Sequence, residues 1–416
     1  MSHGLVLKPF RALRFVADGD PLSRLLCPPY DVISSAERAA LLAGDPDNAV
    51  SLVLPDSYMD AAERIARHIA GGTMATDPEP ALYVYEMAPA DGPATRGLIG
   101  AVELRPYADG VIVPHENTMA GPVADRLALM DATDANLEAI YLVYDGGGAA
   151  TEATADVPAS TAVASTTTPD GTTHRLWALT DPETLTGIAA DLAGRTAMIA
   201  DGHHRYATYL ELQAQRRAAD GPGPWDFGLT LLVDSSSYGP QVHAIHRVLV
   251  GFALDDALAG VASHCTVDDH DSVDHAVVAL DTHPGFACVL TDGNRSAVVR
   301  TVGADVLAAA SSPDDPAELA ALDVTVLHRA LVPHAWGLPD TVDAVGYAHD
   351  VHEAIAAAQA SGGTAVLMRP TPVSAVVAVA RAGGRMPRKS TLFTPKPASG
   401  LLLRRFADDV DANGVS

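Results

Sequence analysis

The chain has 416 residues, 48% of them hydrophobic, and 27 basic against 52 acidic side chains leave a formal net charge of −25. That balance excludes a wholly disordered chain, and its negative field excludes a non-specific nucleic-acid-binding surface. The three scattered cysteines, Cys27, Cys265 and Cys288, exclude a disulfide framework or a zinc cage. No apolar run reaches the ~18–20 residues of a membrane helix, and no leader pattern opens the chain. A cytoplasmic protein of two or three domains is expected, without membrane association.

The predicted elements run as follows. The chain is extended to Phe15, and Cys27-Pro-Pro-Tyr-Asp-Val-Ile33 forms a turn made rigid by two prolines. Helices are expected over Ser35–Leu42 and Tyr58–Ala70, the second with Ile65 and Ile69 at helical spacing. Strands follow at Leu82–Glu86, Arg96–Glu103 and Val111–Val113. A helix over Asp125–Met130 leads to a buried strand, Ala139–Tyr144. The Ala-, Thr- and Gly-rich stretch from Gly146 to Thr173 reads as an exposed hairpin, and His174–Leu179 as a strand. Pro182–Leu192 is helical, and Thr196–Ala200 is a short buried strand running into a helix from about His204 to Ala219. Gly228–Val233 and Val242–Val250 are strands. Beyond a boundary near Gly251, strands at Phe286–Leu290, Ala297–Val302 and Thr364–Met368 alternate with helices at Ala317–Leu331, Val351–Gln359 and Val373–Ala382. The fold class is therefore α/β (α+β) with mixed sheets: a core over 1–250, an α/β domain over 251–383, and a basic C-terminal segment over 384–416 returning to the site.

The sharpest local signal is Met198-Ile-Ala-Asp-Gly-His-His-Arg-Tyr-Ala-Thr208. A buried strand ends, the chain turns on Gly202, and a helix opens whose first amide groups favour an anion, phosphate above all. Asp201 can cap that helix, and His203, His204 and Arg205 add donors, the Arg able to clamp phosphate with both arms. A second signal is the loop Pro114-His-Glu-Asn-Thr118, where Glu116 beside His115 can act as general base or metal ligand. Asp125-Arg126 nearby can form a structural ion pair. Pro28-Pro-Tyr-Asp-Val32 offers Tyr30 and Asp31 on a rigid platform, or an ordinary turn. His243 and His246 point to opposite faces of their expected strand, which argues against a chelating pair.

Lysine usage adds a further signal. Only Lys8, Lys389 and Lys396 are lysines, and the other 24 basic residues are arginines. Two of the three lie in Gly384-Arg-Met-Pro-Arg-Lys-Ser-Thr-Leu-Phe-Thr-Pro-Lys-Pro397, with Arg385 and Arg388 and no acid. A position that keeps lysine in such a chain suits a compact point charge, and a phosphate-facing loop is expected there. The common phosphate loop, the nucleophile elbow, His-Glu-x-x-His, Cys-x-x-Cys and the Rossmann fingerprint are all missing.

These motifs together carry a resemblance. Lys8-Pro-Phe-Arg-Ala-Leu-Arg14, Pro28-Pro-Tyr-Asp-Val-Ile33, Pro114-His-Glu-Asn-Thr118, Asp125-Arg126, Ala200-Asp-Gly-His-His-Arg-Tyr206, His246-Arg247, Met386-Pro-Arg-Lys-Ser-Thr391 and Pro395-Lys-Pro397 resemble the bacterial and archaeal family called domain of unknown function 1015. The Asp-Gly-His-His-Arg stretch is also similar to the signature of the ParB/sulfiredoxin-like superfamily, in which such a strand–turn–helix element binds nucleotide phosphates. Sulfiredoxins carry a cysteine where this chain has His203, and partition proteins carry a basic DNA-binding helix pair that −25 opposes. The free-serine kinase branch is the nearest in motif.

The resemblance implies a ParB/sulfiredoxin-like nucleotide-binding core and an enzyme: a nucleotide-dependent small-molecule phosphotransferase using ATP or ADP with Mg²⁺, acting on free serine or phosphoserine. Glu116, Asp201 and His204 would be catalytic, with Asp201 sharing the Mg²⁺. Gly202, His203, Arg205, Arg388, Lys389 and Lys396 would bind phosphates. Tyr30, Asp31, His115, Asn117, Thr118, Arg126, His246 and Arg247 would line the substrate. The partners implied are a small-molecule substrate and a nucleotide, and a homodimer is one assembly open to the chain. The alternatives are a metal-dependent hydrolase with His115, Glu116, His203 and His204 as ligands, and a non-catalytic nucleotide-binding regulator.

Overall fold

The computed structural model describes residues 4–157, 162–310, 312, 315–320 and 322–409. The chain divides into two compact units, one made of residues 1–240 and 395–416, the other of 241–394. Both mix helices with sheets, as the alternating sequence pattern requires. No described helix is long and apolar enough to cross a membrane.

In the first unit nine strands form one sheet among the described residues. Its spatial order is Ile112–Val113, Ala197–Asp201, Ile140–Tyr144, Phe227–Asp234, Thr95–Glu103, Leu82–Ala88, Thr173–Leu179 and Ala164–Thr167, with Leu7–Lys8 on the side of Thr95–Glu103. Ala197–Asp201 runs parallel to Ile112–Val113 and antiparallel to Ile140–Tyr144. The central strands are buried on both faces, which explains their near-continuous apolar runs. Leu82, Val84, Leu98, Leu142, Ile199, Tyr206 and Leu232 belong to the core packed on the sheet.

Local chemistry sets the helix ends. Asp181 accepts the Thr184 amide ahead of Pro182–Leu192, and Pro182 sits where no amide donor is needed. Ser57 does the same for Tyr58–Ala70, and Ser34 with Glu37 closes a reciprocal cap on Ser35–Gly44.

Three stretches differ from expectation. The expected hairpin begins instead with a helix, Ala149–Ala155, whose alanines favour that state. It is tied down by Ala150 N–H donating to Asp191 and the Thr151 hydroxyl donating to Asp234. Residues 158–161 of that stretch lie outside the described residues, and Ala164–Thr167 does pair with Thr173–Leu179.

In the second unit, the single strand expected over Val242–Val250 is two. Gln241–His243 pairs with Leu392–Thr394, while His246–Leu249 lies between Val345–Ala348 and Thr364–Leu367 in a six-stranded sheet. The Ile245 carbonyl at the break accepts from Arg247 Nη1 instead of continuing a ladder. The long helix expected from Ala317 is Ala317–Ala320, Asp323–Val326 and then a π-helix, Leu327–Ala335. Pro333 inside it lacks an amide donor and crowds the preceding turn, and the wider π turn accommodates it.

His174, on a strand of the main sheet, is buried between two hydroxyls. Tyr85 Oη is 2.8 Å from Nδ1 and accepts the Ala398 amide, and Thr168 Oγ1 is 3.1 Å from Nε2. Thr168 donates its own hydrogen to Asp170 or to the Thr172 carbonyl, so Nε2 carries the ring proton and Nδ1 accepts from Tyr85. Burial lowers the His174 pKa from 6.5 to about 4, against the opposing pull of Asp170. The unfolded chain therefore takes up this proton first. The contribution is full above pH ~6.5 and is lost as pH falls toward 4, about 3 kcal/mol in all. His174→Gln is expected to lower stability at pH 7 yet lose less between pH 7 and 4.5 than the parent. Urea titrations at the two pH values check this, and equal pH slopes would remove His174 as the source.

Candidate active site

The sheet delivers Asp201 to the end of a buried strand beside Tyr141, across a register shift after Ile199. Gly202 then adopts φ +88°, and the helix His203–Asp220 begins. An added Cβ at Gly202 would sit 3.1 Å from Arg205 Nε as well as forcing that φ, so the position calls for glycine. The cap of this helix is Gly202, which has no side chain to accept the first-turn amides. Asp201 is not the cap, contrary to expectation. Its carboxylate is drawn away by two cations.

Asp201 Oδ2 accepts from Arg205 Nη2 at 2.6 Å, and Oδ1 accepts from Lys396 Nζ at 2.6 Å. Lys396 also lies 3.9 Å from Asp31. Burial by itself raises the Asp201 pKa, but Lys396 and Arg205 outweigh it and hold the carboxyl below 3.8. Arg205 is buried, and its Nη1 donates to the Ala139 carbonyl. Two buried polar atoms at this turn have no hydrogen-bond partner among the described residues: Arg205 Nε and the Tyr141 hydroxyl.

The loop after Ile112–Val113 brings its residues to the same turn. His115 Nδ1 donates to the Ile199 carbonyl at 2.7 Å, and the His115 amide donates to His203 Nε2 at 3.3 Å. The two rings meet edge to face with centroids 4.5 Å apart. Glu116 hangs between them, Oε1 3.8 Å from His115 Nε2 and Oε2 3.9 Å from His203 Nδ1, with about a third of its side chain exposed. His204 Nε2 accepts the Met119 amide at 3.1 Å. Burial lowers the His204 pKa, with Asp31 opposing. Asn117 and Thr118 are exposed on this loop.

Tyr30 and Arg126 stack, the guanidinium 4.2 Å from the ring centroid. Arg126 also binds Asp125 and donates to the Val53 carbonyl at 2.6 Å, so the expected ion pair is present. Burial, with Arg205 opposing, pushes the Tyr30 phenol up to about 12.

Sequence reasoning missed Glu138. It is buried, and its Oε1 accepts from the Tyr30 amide at 3.0 Å and from Ser399 Oγ at 2.7 Å. Ser399 in turn bridges Cys27 through two backbone hydrogen bonds. Glu138 thus fastens the Pro-Pro-Tyr-Asp turn and the segment carrying Lys396 to one anchor. An acid inside the apolar run Leu137-Glu-Ala-Ile-Tyr141 was the available signal, because a carboxylate entering a core needs partners. Arg388, Lys389, His246 and Arg247 belong to the second unit.

The donor set does not suit a metal. Mg²⁺ takes carboxylate oxygens whose charge is not already neutralised, and each Asp201 oxygen accepts a short bond from a cation, Arg205 or Lys396, that would repel the ion. His203 Nε2 and His204 Nε2 spend their lone pairs on backbone amides, so of the three imidazoles it is His115, whose Nδ1 donates to the Ile199 carbonyl, that keeps Nε2 as an acceptor. A ligand set of His115, Glu116, His203 and His204 therefore does not form here. Among the described residues no group of three metal-binding side chains assembles.

The family model described as protein of unknown function (DUF1015) matches residues 7–325. The chain belongs to this family. Within DUF1015, the span matched includes the Pro-Pro-Tyr-Asp turn, the Glu116 loop and the Asp201 turn. A comparison with curated proteins finds no match. Among solved structures, the chain is similar to a conserved hypothetical protein from Pyrococcus furiosus, at 13% identity, 72% of this chain, 94% of that chain and a TM-score of 0.35. It is similar to free serine kinase in complex with AMP, at 13% identity, 68% and 84% coverage and a TM-score of 0.34. A point mutant of free serine kinase in complex with ADP matches at 12% identity, 68% and 84% coverage and a TM-score of 0.35.

Proposed function

We propose that the first unit is a nucleotide-dependent phosphotransferase that acts on a small hydroxy compound, with free serine as the acceptor that the Asp-Gly-His-His-Arg resemblance favours. The observation that carries this reading is one turn where a glycine-capped helix start, two cations and a partly exposed carboxylate come together. Gly202, as the cap, offers the first-turn amides no side-chain acceptor of its own, and a helix start of this kind suits a phosphate. Lys396 spends one short bond on Asp201 and keeps further donors for oxyanions. The unpartnered Arg205 Nε and Tyr141 hydroxyl are polar groups whose cost a bound polar ligand offsets. Phosphoryl transfer asks for this kind of positioning and charge neutralisation.

Glu116 is the general base in this reading. The imidazoles of His115 and His203 flank it and orient the carboxylate toward an acceptor hydroxyl. The acceptor oxygen forms its bond to phosphorus, the bond from phosphorus to the nucleotide oxygen breaks, and the hydroxyl proton passes to Glu116.

Phosphorus NMR of the full chain with ATP or ADP and serine tests the proposal. A phosphate ester signal that appears only when nucleotide, serine and protein are all present is the expected result. Lys396→Gln is expected to weaken nucleotide binding by about 10–100-fold, the worth of a charge-assisted hydrogen bond. Absence of both ester formation and nucleotide binding at millimolar concentration would overturn it.

A further inference from the structure

The second unit buries a cation that the proposed reaction does not use. Arg247, on the strand His246–Leu249, is 1% exposed. No carboxylate lies within ion-pair distance of it among the described residues. Its Nε donates to His328 Nε2 at 3.0 Å, Nη1 to the Ile245 carbonyl, and Nη2 to the Lys389 carbonyl at 2.9 Å. Because His328 Nε2 accepts, the ring proton sits on Nδ1, which faces Asp340 Oδ1 at 2.9 Å. The Tyr347 ring lies 5.3 Å from the Arg247 guanidinium and stacks near His328. His328 stands on the π-helix Leu327–Ala335, a distortion found often at functional sites.

This relay ends on a strained loop. Lys389 has φ +55°, a left-handed conformation that costs energy for a residue with a Cβ. Its carbonyl is held there by Arg247. Arg388 and Lys389 are exposed, and neither side chain makes a hydrogen bond or ion pair among the described residues. Arg388 is near enough to Asp340 and His328 to act on both electrostatically. A glycine would hold the turn without strain, yet one of the chain's three lysines stands there.

We propose that the second unit carries its own oxyanion site, in which Arg388 and Lys389 bind a phosphate group and the buried Arg247–His328–Asp340 relay fixes the loop that presents them. Two adjacent cations that close no ion pair among the described residues suit the charge of about −1.5 to −2 on a phosphate group, with Asp340 near Arg388 offsetting part of it. The planar fork of Arg388 and the point charge of Lys389 contact different phosphate oxygens. Arg247 is a positioning residue, since it is buried and each of its three nitrogens already donates to a protein atom. The ligand is free phosphate or the phosphate of a nucleotide.

With only three lysines, lysine acylation read by mass spectrometry resolves the sites. On the full chain, inorganic phosphate or ADP is expected to slow acylation of Lys389 several-fold while leaving Lys8 unchanged. Protection by both assigns free phosphate, and protection by ADP alone assigns a nucleotide; each supports the site. Arg388→Gln is expected to raise the half-protecting concentration by about tenfold. Lys389→Gly keeps the turn and should retain the fold without the ammonium. Arg247→Lys keeps the charge but cannot reach His328, Ile245 and Lys389 together, and should abolish protection at Lys389 with an unchanged far-UV spectrum. Equal acylation of Lys389 with and without either probe overturns the site, as does full protection in Arg388→Gln. Protection of Lys396 alone would leave the first unit's reading standing and remove this one.

Discussion

Asp201→Asn is expected to destabilise the protein by about 3–5 kcal/mol, because it breaks a buried ion pair from one side. Arg205 and Lys396 both bond this carboxylate at 2.6 Å. Arg205 is 3% exposed, so water cannot replace the lost partner. The Asn side chain keeps an acceptor for one cation and loses the charge that balances both. The same geometry sets a pH dependence. The folded Asp201 pKa lies below 3.8, so its contribution is complete above that value and is lost as pH falls below it. Urea denaturation at pH 7 measures the effect. A double-mutant cycle with Lys396→Gln should show strong coupling, because the pair shares one network. A loss below about 1 kcal/mol would mean that Asp201 is solvated and not the anchor of this turn.

Glu116→Gln is expected to behave in the opposite way, lowering turnover by ~10²–10⁴-fold and shifting stability by no more than ~0.5 kcal/mol. Its side chain is a third exposed, and its carboxylate lies 3.8–3.9 Å from the two imidazoles, farther than Asp201 lies from its cations. Gln preserves shape and removes the proton acceptor. Steady-state phosphotransfer to serine, compared with thermal melting of the same preparations, separates chemistry from folding. Unchanged turnover would remove Glu116 as the base, and a large stability loss would reassign it as a structural acid.

Asp201 and Glu116 also show how differently two motif residues can be read. Both stand out in sequence, in Asp201-Gly-His-His-Arg205 and Pro114-His-Glu-Asn-Thr118. Glu116 keeps the exposure a base requires, whereas Asp201 is taken up by cations. The expected cap failed because a carboxylate next to Arg205 and Lys396 gains more from two charged donors than from neutral first-turn amides.

Local order is legible in the residues alone: the mixed α/β class, the helices Tyr58–Ala70 and Pro182–Leu192 within their observed limits, and the strand–glycine–helix turn at Gly202. Those features rest on caps, side-chain periodicity and backbone freedom, which act within a few residues. The tertiary structure alone decided that Lys396 closes on Asp201 across 195 residues, that Glu138 ties Tyr30 to Ser399, and that Arg247 holds the Lys389 carbonyl across 142 residues. A buried charge takes whichever partner the assembled core brings within ~3 Å. That partner is chosen by the packing of distant strands and helices, and no spacing along the chain encodes it.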